Sequence, residues 1–251
     1  MPHPPNADSE TPGVWHGVPF DRRGQIGLEA AAYTATQPNP ANLDTLVAIG
    51  LNLHIPIATR TFADVRLPMA GYFPGNIMVG VDRVGKLGER GFLGYGLQIG
   101  LPLSVNRGTE AFALPNAIWN VHEYQPHFLP IKVAFDYERM MGQSFSLRLD
   151  LEPILSIPVG DYGYNAGFTF QHAVEVQYGH ELGVGLRLQG VAISDQLSTD
   201  AYQLAVEPFA IVQRRMGFAR LGLMIPIDDS TAGPPFEQAW GFRLWTGFHI
   251  D

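Results

Sequence analysis

The stretch SFSLRLDLE, residues 144–152, constrains this chain more than any other. Side chains of an extended strand point alternately to its two faces, so Phe145, Leu147, Leu149 and Leu151 share one side while Ser146, Arg148, Asp150 and Glu152 share the other. The same period of two recurs in FLGYGLQIGL from Phe92, in IKVAFDYE from Ile131 and in ELGVGLRLQ over 181–189. A helix repeats about every 3.6 residues and would scatter these apolar positions around its circumference. The periodicity predicts about twelve strands, at 25–34, 44–55, 59–68, 75–85, 91–103, 128–140, 143–157, 164–178, 180–192, 201–213, 215–226 and 238–250.

The connections follow a rule of their own. Those after the first, third, fifth, seventh, ninth and eleventh strands are longer, clearest at 104–127 and 227–237, while those after the even strands are tight: HIPIA, GKLGER, MMG, YGH and the few residues around Arg214. If sequential strands pair as hairpins, the tight turns gather at one end of the sheet and the long loops at the other. VWHGVPF at 14–20 is too short and too Pro-bounded to predict a strand. Residues 1–24 read as a Pro-rich lead-in, folding into or beneath the rest as a plug, ahead of one β-domain over 25–251.

Composition removes several classes of function. Hydrophobic residues make up 46% of the 251 and charged ones 16%, yet no run of about 18 apolar residues exists to form a transmembrane helix. A formal charge of −8 opposes general nucleic-acid binding, which needs a basic footprint. With no cysteine, disulfides, thiolate nucleophiles and Cys-based zinc sites are excluded. The start, MPHPPNADSETPG, lacks the basic and apolar regions of a secretion signal, which fits either a cytoplasmic chain or the mature form of an exported one.

Whether the apolar or the polar face meets water separates two folds. A soluble sandwich or barrel turns its apolar face inward and produces the same alternation. The predicted strands, however, run to about 10–14 residues, beyond the usual five or six of soluble sheets and close to tilted membrane strands. The polar face is rich in Gly, Gln, Arg and acids, whereas Lys occurs only at Lys86 and Lys132; exposed sheets usually carry interspersed lysines. Tyr162 and Tyr164 near one end of a strand and Tyr178 at the other, with Trp240 and Phe248 bracketing the last strand, fit aromatic girdles.

On these features the chain resembles the Gram-negative outer-membrane β-barrel proteins, porins among them, over residues 25–251. Its last strand, WGFRLWTGFHI, is similar to the C-terminal assembly signal of that class, although Asp251 stands where Phe is commonest. The resemblance implies an all-β, closed, antiparallel up-and-down transmembrane β-barrel in the bacterial outer membrane, with short periplasmic turns and longer extracellular loops. Leu147, Leu149 and Leu151 then face lipid, since a sheet spans a bilayer only if it closes and pairs every backbone group. His172 falls in the lipid-facing phase, which a bulge, a shifted register or a neutral imidazole would accommodate.

Counting from the short-turn end places Arg148, Arg187, Arg220 and Arg243 at similar depth on one half of the interior. Glu29, Asp64, Asp82 and Asp136 occupy the other half, and Asp150 and Glu207 point inward as well. One reading is a charged constriction with a transverse field, a passive channel for small polar solutes or ions. The other is a closed structural or partner-binding barrel whose charges pair across the interior. Lumenal Gly80, Gly94, Gly96 and Gly100 are expected to leave space.

Other chemistries find less support. A lipid-modifying outer-membrane enzyme would need a nucleophile beside His172, expected to pair near Leu149 and Leu186, and no serine is placed there. A deacylase or protease has only scattered candidates in His122, Glu123 and His127. The HEYQPH run at 122–127 matches no zinc motif, and its histidines read as solvated. The long loop at 104–127 is a candidate site for an external partner. No glycine-rich phosphate loop precedes a helix, so no cofactor is expected.

Overall fold

A computed structural model of the chain describes residues 13–15, 18–20, 24–34, 45–70, 73–103, 120, 122–142, 144–160, 165–179, 181–195, 198–214, 216–227 and 240–250. Two short strands, β1 (Gly13–Trp15) and β2 (Val18–Phe20), pair antiparallel where the periodicity predicts no strand. The alternating segments become β3 (Gly24–Thr34), β4 (Thr45–Ala58), β5 (Thr61–Ala70), β7 (Ile77–Leu87), β8 (Gly91–Leu101) and β9 (Phe128–Met141). They continue as β10 (Phe145–Pro158), β11 (Gly167–Tyr178), β12 (Leu182–Asp195), β13 (Ser198–Arg214), β14 (Gly217–Pro226) and β15 (Trp240–Ile250). The two-residue β6 (Phe73–Pro74) lies against the end of β5.

Each long strand pairs antiparallel with the next, and β15 pairs with β3, Trp240 opposite Thr34 and Ile250 opposite Gly24. Twelve strands thus close into a barrel. Closure leaves no sheet edge, the condition under which backbone N–H and C=O groups can lie in lipid.

Among the described residues, 59–60, 88–90, 142, 144, 179, 181 and 216 belong to the tight connections, which gather at one end. Gly88 and Gly142, at φ 72° and 76°, supply the left-handed residue that such turns need. One connection differs from expectation. The polar run after residue 192 is not a long loop, because β12 and β13 continue through it to pair Asp195 with Ser198, with a bulge between Ile193 and Asp195. Ser, Asp and Gln read as loop formers, but the backbone ladder continues as far as Asp195 and Ser198.

Exposure follows the pleat. On β10 Leu149 is 37% exposed and Arg148 only 3%, so apolar side chains form the outer surface and charged ones the interior. Tyr178 packs on Phe145 at the short-turn end, while Trp240 and Phe248 stand exposed at opposite ends of β15; Tyr162 and Tyr164 lie outside the described residues. His172 faces outward in an unbroken ladder. The register sets it opposite Leu151 and Gly190 rather than Leu149 and Leu186. Its ring stacks with Phe170 and Tyr202, and Nε2 lies 3.3 Å from the Tyr202 hydroxyl, a partner that makes an imidazole tolerable in lipid.

Candidate functional site

The interior is built on a row of directly opposed residues. Glu138 on β9 faces Arg148 on β10, which faces Glu175 on β11, which faces Arg187 on β12, which faces Glu207 on β13. Signs alternate at every step, the favourable arrangement for cross-strand pairs. Arg148 binds Glu175 at 2.6 Å and Glu138 at 3.4 Å; Arg187 binds Asp150 at 2.6 Å and Glu175 at 3.5 Å.

The chain of ion pairs continues round the wall. Arg220 joins Glu175 at 2.7 Å to Glu207 at 3.2 Å, and Arg243 joins Glu207 at 3.3 Å to Glu29 at 3.7 Å. Arg66 then links Glu29 at 2.7 Å to Glu123 at 2.5 Å. The Arg220 guanidinium lies 3.6 Å from the Phe209 ring centroid and 4.7 Å from that of Trp245, so its faces meet π-systems while its edges meet carboxylates. Gly222 is required beneath Glu207, because a Cβ there would collide with the carboxylate.

All ten residues singled out in the sequence line the interior, but their charges are not divided into halves as expected. The expected basic half interleaves with Glu138, Glu175, Asp150 and Glu207. The acidic arc persists on β7 to β9, where Asp82 and Asp136 make no ion pair among the described residues. Asp136 stands opposite Asp150, while Lys132 lies 3.6 Å from Glu152. Space at the glycines is also taken up: Gln98 covers Gly80, Asp82 covers Gly96, and Pro130 with Met78 covers Gly100.

Glu138, Glu175, Arg66 and His54 are not among the residues the sequence singles out, and Glu123 is there only a scattered deacylase or protease candidate. Depth counted from strand ends carries no register in a sheared barrel. Pairing outward from each tight turn, such as 142–144, would have set Glu138 against Arg148.

Residues 122–127, the described end of the connection before β9, fold inward. Residues 122–124 form a helical turn, and His122 and Glu123 are buried rather than solvated. Asn76 fastens it: its backbone N–H donates to Glu123 O at 2.6 Å, and its side-chain amide donates to His122 O at 3.2 Å and Gln125 O at 3.0 Å. Burial pushes the Glu123 carboxyl up, with Arg66 pulling against it. Asn120, Tyr124, Arg66, Glu29 and Gly50 enclose a small cavity beside this turn. Residues 120 and 122–127 of the candidate partner loop are therefore held against the wall, and 104–119 lie outside the described residues. Among the described residues the HEYQPH side chains form no metal-ligand group; His54, Asp64 and Asp82 do.

A closed ring of twelve long antiparallel strands, apolar outside and charged within, is the fold of transmembrane β-barrels. No family profile and no curated protein matches the sequence. Among solved structures the chain is similar to an outer-membrane channel from Pseudomonas putida F1, with 11% identity, all of both chains covered and a TM-score of 0.64. It is also similar to the NanC porin, with 8% identity over 90% of this chain and 100% of that one and a TM-score of 0.57. The KdgM porin gives 8% identity, 90% and 99% coverage, and a TM-score of 0.54. At these identities the likeness is one of fold.

Proposed function

We propose that this barrel is a passive outer-membrane channel for small ions and small polar solutes, with a narrow charged passage. The observation that carries the reading is the uneven wetting of the charged wall. Arg148, Arg220 and Glu207 are sealed, whereas the side chains of Arg66, Asp64 and His54 on β4 and β5 keep 13–15% of their surface open. A solute moving along that side meets Arg66 and Glu29 beside the 120–127 turn, where opposite charges face one passage and little hydration need be lost. The likeness in fold to a channel and two porins supports the same reading.

The test is single-channel current across a planar bilayer after refolding the whole chain. Stable conductance steps are expected, with Arg66→Gln and Arg187→Gln each moving selectivity toward cations. Silence from a folded, inserted barrel overturns the reading and leaves the closed structural barrel, which the sealed ion pairs favour. The outer face supports a non-enzymatic role, since His172 is flanked by Leu151 and Gly190, with a tyrosine hydroxyl as its polar neighbour.

A further inference from the structure

His54 on β4, Asp64 on β5 and Asp82 on β7 turn their polar atoms toward one point of the interior near the short-turn end, each ligand atom within 4.8 Å of the others. The register explains the convergence. His54 lies directly opposite Asp64, Asp64 lies opposite Gly80, and Asp82 follows Gly80 by one inward-facing position. Gly80 carries no side chain of its own, and Gln98 from β8 packs over it.

Each group is held in place. The His54 ring stacks on Phe62 with centroids 4.1 Å apart, and its Nδ1 lies 2.5 Å from Asp64 Oδ1. Asp82 is 0% exposed and rests on Gly96, where a Cβ would strike its carboxylate. Both Asp82 oxygens and Asp64 Oδ2 are buried without a hydrogen-bond partner among the described residues. No Lys or Arg among the described residues forms an ion pair with Asp82, although five arginines serve the rest of the wall. A sealed carboxylate without a partner is costly, and it is aimed at two other ligand groups.

We propose that His54, Asp64 and Asp82 bind a divalent first-row transition ion, with zinc or manganese as the chemical class. One imidazole nitrogen with two carboxylates suits such an ion better than calcium, which prefers an all-oxygen shell. The charges balance: two carboxylates and a neutral imidazole neutralise a doubly charged ion. His54 Nδ1 and Asp64 Oδ1 separate from hydrogen-bond range to about 3.4 Å, the spacing of two ligands on a tetrahedral ion with bonds of about 2.1 Å. Lumenal water, which reaches His54 and Asp64, completes the shell.

The site lies on the weakest seam of the wall. The β5–β7 ladder has six residue pairs, Thr61 with Arg83 through Arg66 with Met78, the shortest among the twelve barrel strands. An ion held by β4, β5 and β7 therefore staples the place where backbone pairing is thinnest. This assignment stands apart from the channel reading, since a closed barrel would bind the ion equally well.

The experiment is calorimetric titration of the refolded, chelator-treated full chain in detergent with Zn2+ and with Mn2+. One ion per barrel and a higher melting temperature are expected. Asp82→Asn should weaken binding by roughly tenfold or more and abolish the thermal shift while the folded barrel's gel mobility is kept. Asp64→Asn serves as the second variant if the first does not fold. Absence of binding by the unmodified chain overturns the proposal. So does equal binding by the variants, which would assign the titration to other histidines, or a preference for Ca2+ over both probes.

Discussion

Arg220 on β14 reaches past β13 and β12 to meet Glu175 on β11 at 2.7 Å, with side chains 0% and 1% exposed. Glu175 also holds Arg148 and Arg187, so one carboxylate compensates three guanidinium groups in a region closed to water. Glu175→Gln is expected to destabilise the barrel by about 3–5 kcal/mol, because the cations stay buried after their partner is neutralised. Urea unfolding in lipid vesicles measures this. A second change, Arg220→Met, should recover part of the loss, since Phe209 and Trp245 already offer an apolar slot for the replacement.

The outer face makes a separate prediction. Leu149 sits mid-strand on β10 and faces lipid, whereas Met216, 79% exposed, lies in a tight turn. Leu149→Arg should cost about 2–4 kcal/mol in a bilayer and Met216→Arg no more than about 1 kcal/mol, the difference between the midplane and the interface. Equal tolerance in a vesicle-refolding assay would contradict the assignment of faces. Arg148→Leu is not a neutral control, because it strands Glu138 and Glu175.

Asn76→Ala removes two side-chain hydrogen bonds that hold the 122–127 turn. Losing those two buried hydrogen bonds costs about 1–3 kcal/mol, enough to loosen the turn without unfolding the barrel. Faster amide exchange confined to the turn is the expected signature, together with noisier current in the bilayer assay.

Glu123 gives the pH dependence. Its carboxyl is raised by burial, so the folded chain takes up a proton there more readily than the unfolded chain. Stability from this group is present at low pH and lost as pH rises through the raised value. Glu123→Gln imitates the protonated form, and should therefore melt above the unmodified chain at neutral pH, with the gap narrowing as the solution is acidified. A gap that widens on acidification would reverse the sign of the shift.

The architecture was largely legible because period two is a local property: Leu149 and Arg148 betray their faces without reference to any other strand. Lengths and tight turns then followed from the same alternation. What escaped was register. The pairing of His172 with Leu151 instead of Leu149, and the presence of Glu138 and Glu175 between arginines, depend on where each turn begins and how far the sheet shears. The continued pairing of Asp195 with Ser198 escaped for a different reason, since polar residues outside the lipid lose the alternation that marks a strand. The inward fold of 122–127 rests on Asn76 and Arg66, contacts between segments that no short window of sequence brings together.

The seam between β3 and β15 carries a consequence for assembly. Its partners, such as Gln25 and His249, lie far apart along the chain, while every other strand of the ring pairs with one that follows closely. Until that seam forms, the sheet is an open ribbon with two adhesive edges, and bringing such distant ends of the chain together carries an entropic cost. Pathways that shelter the two end strands until they meet will govern how much chain reaches the membrane closed rather than stuck to a neighbour.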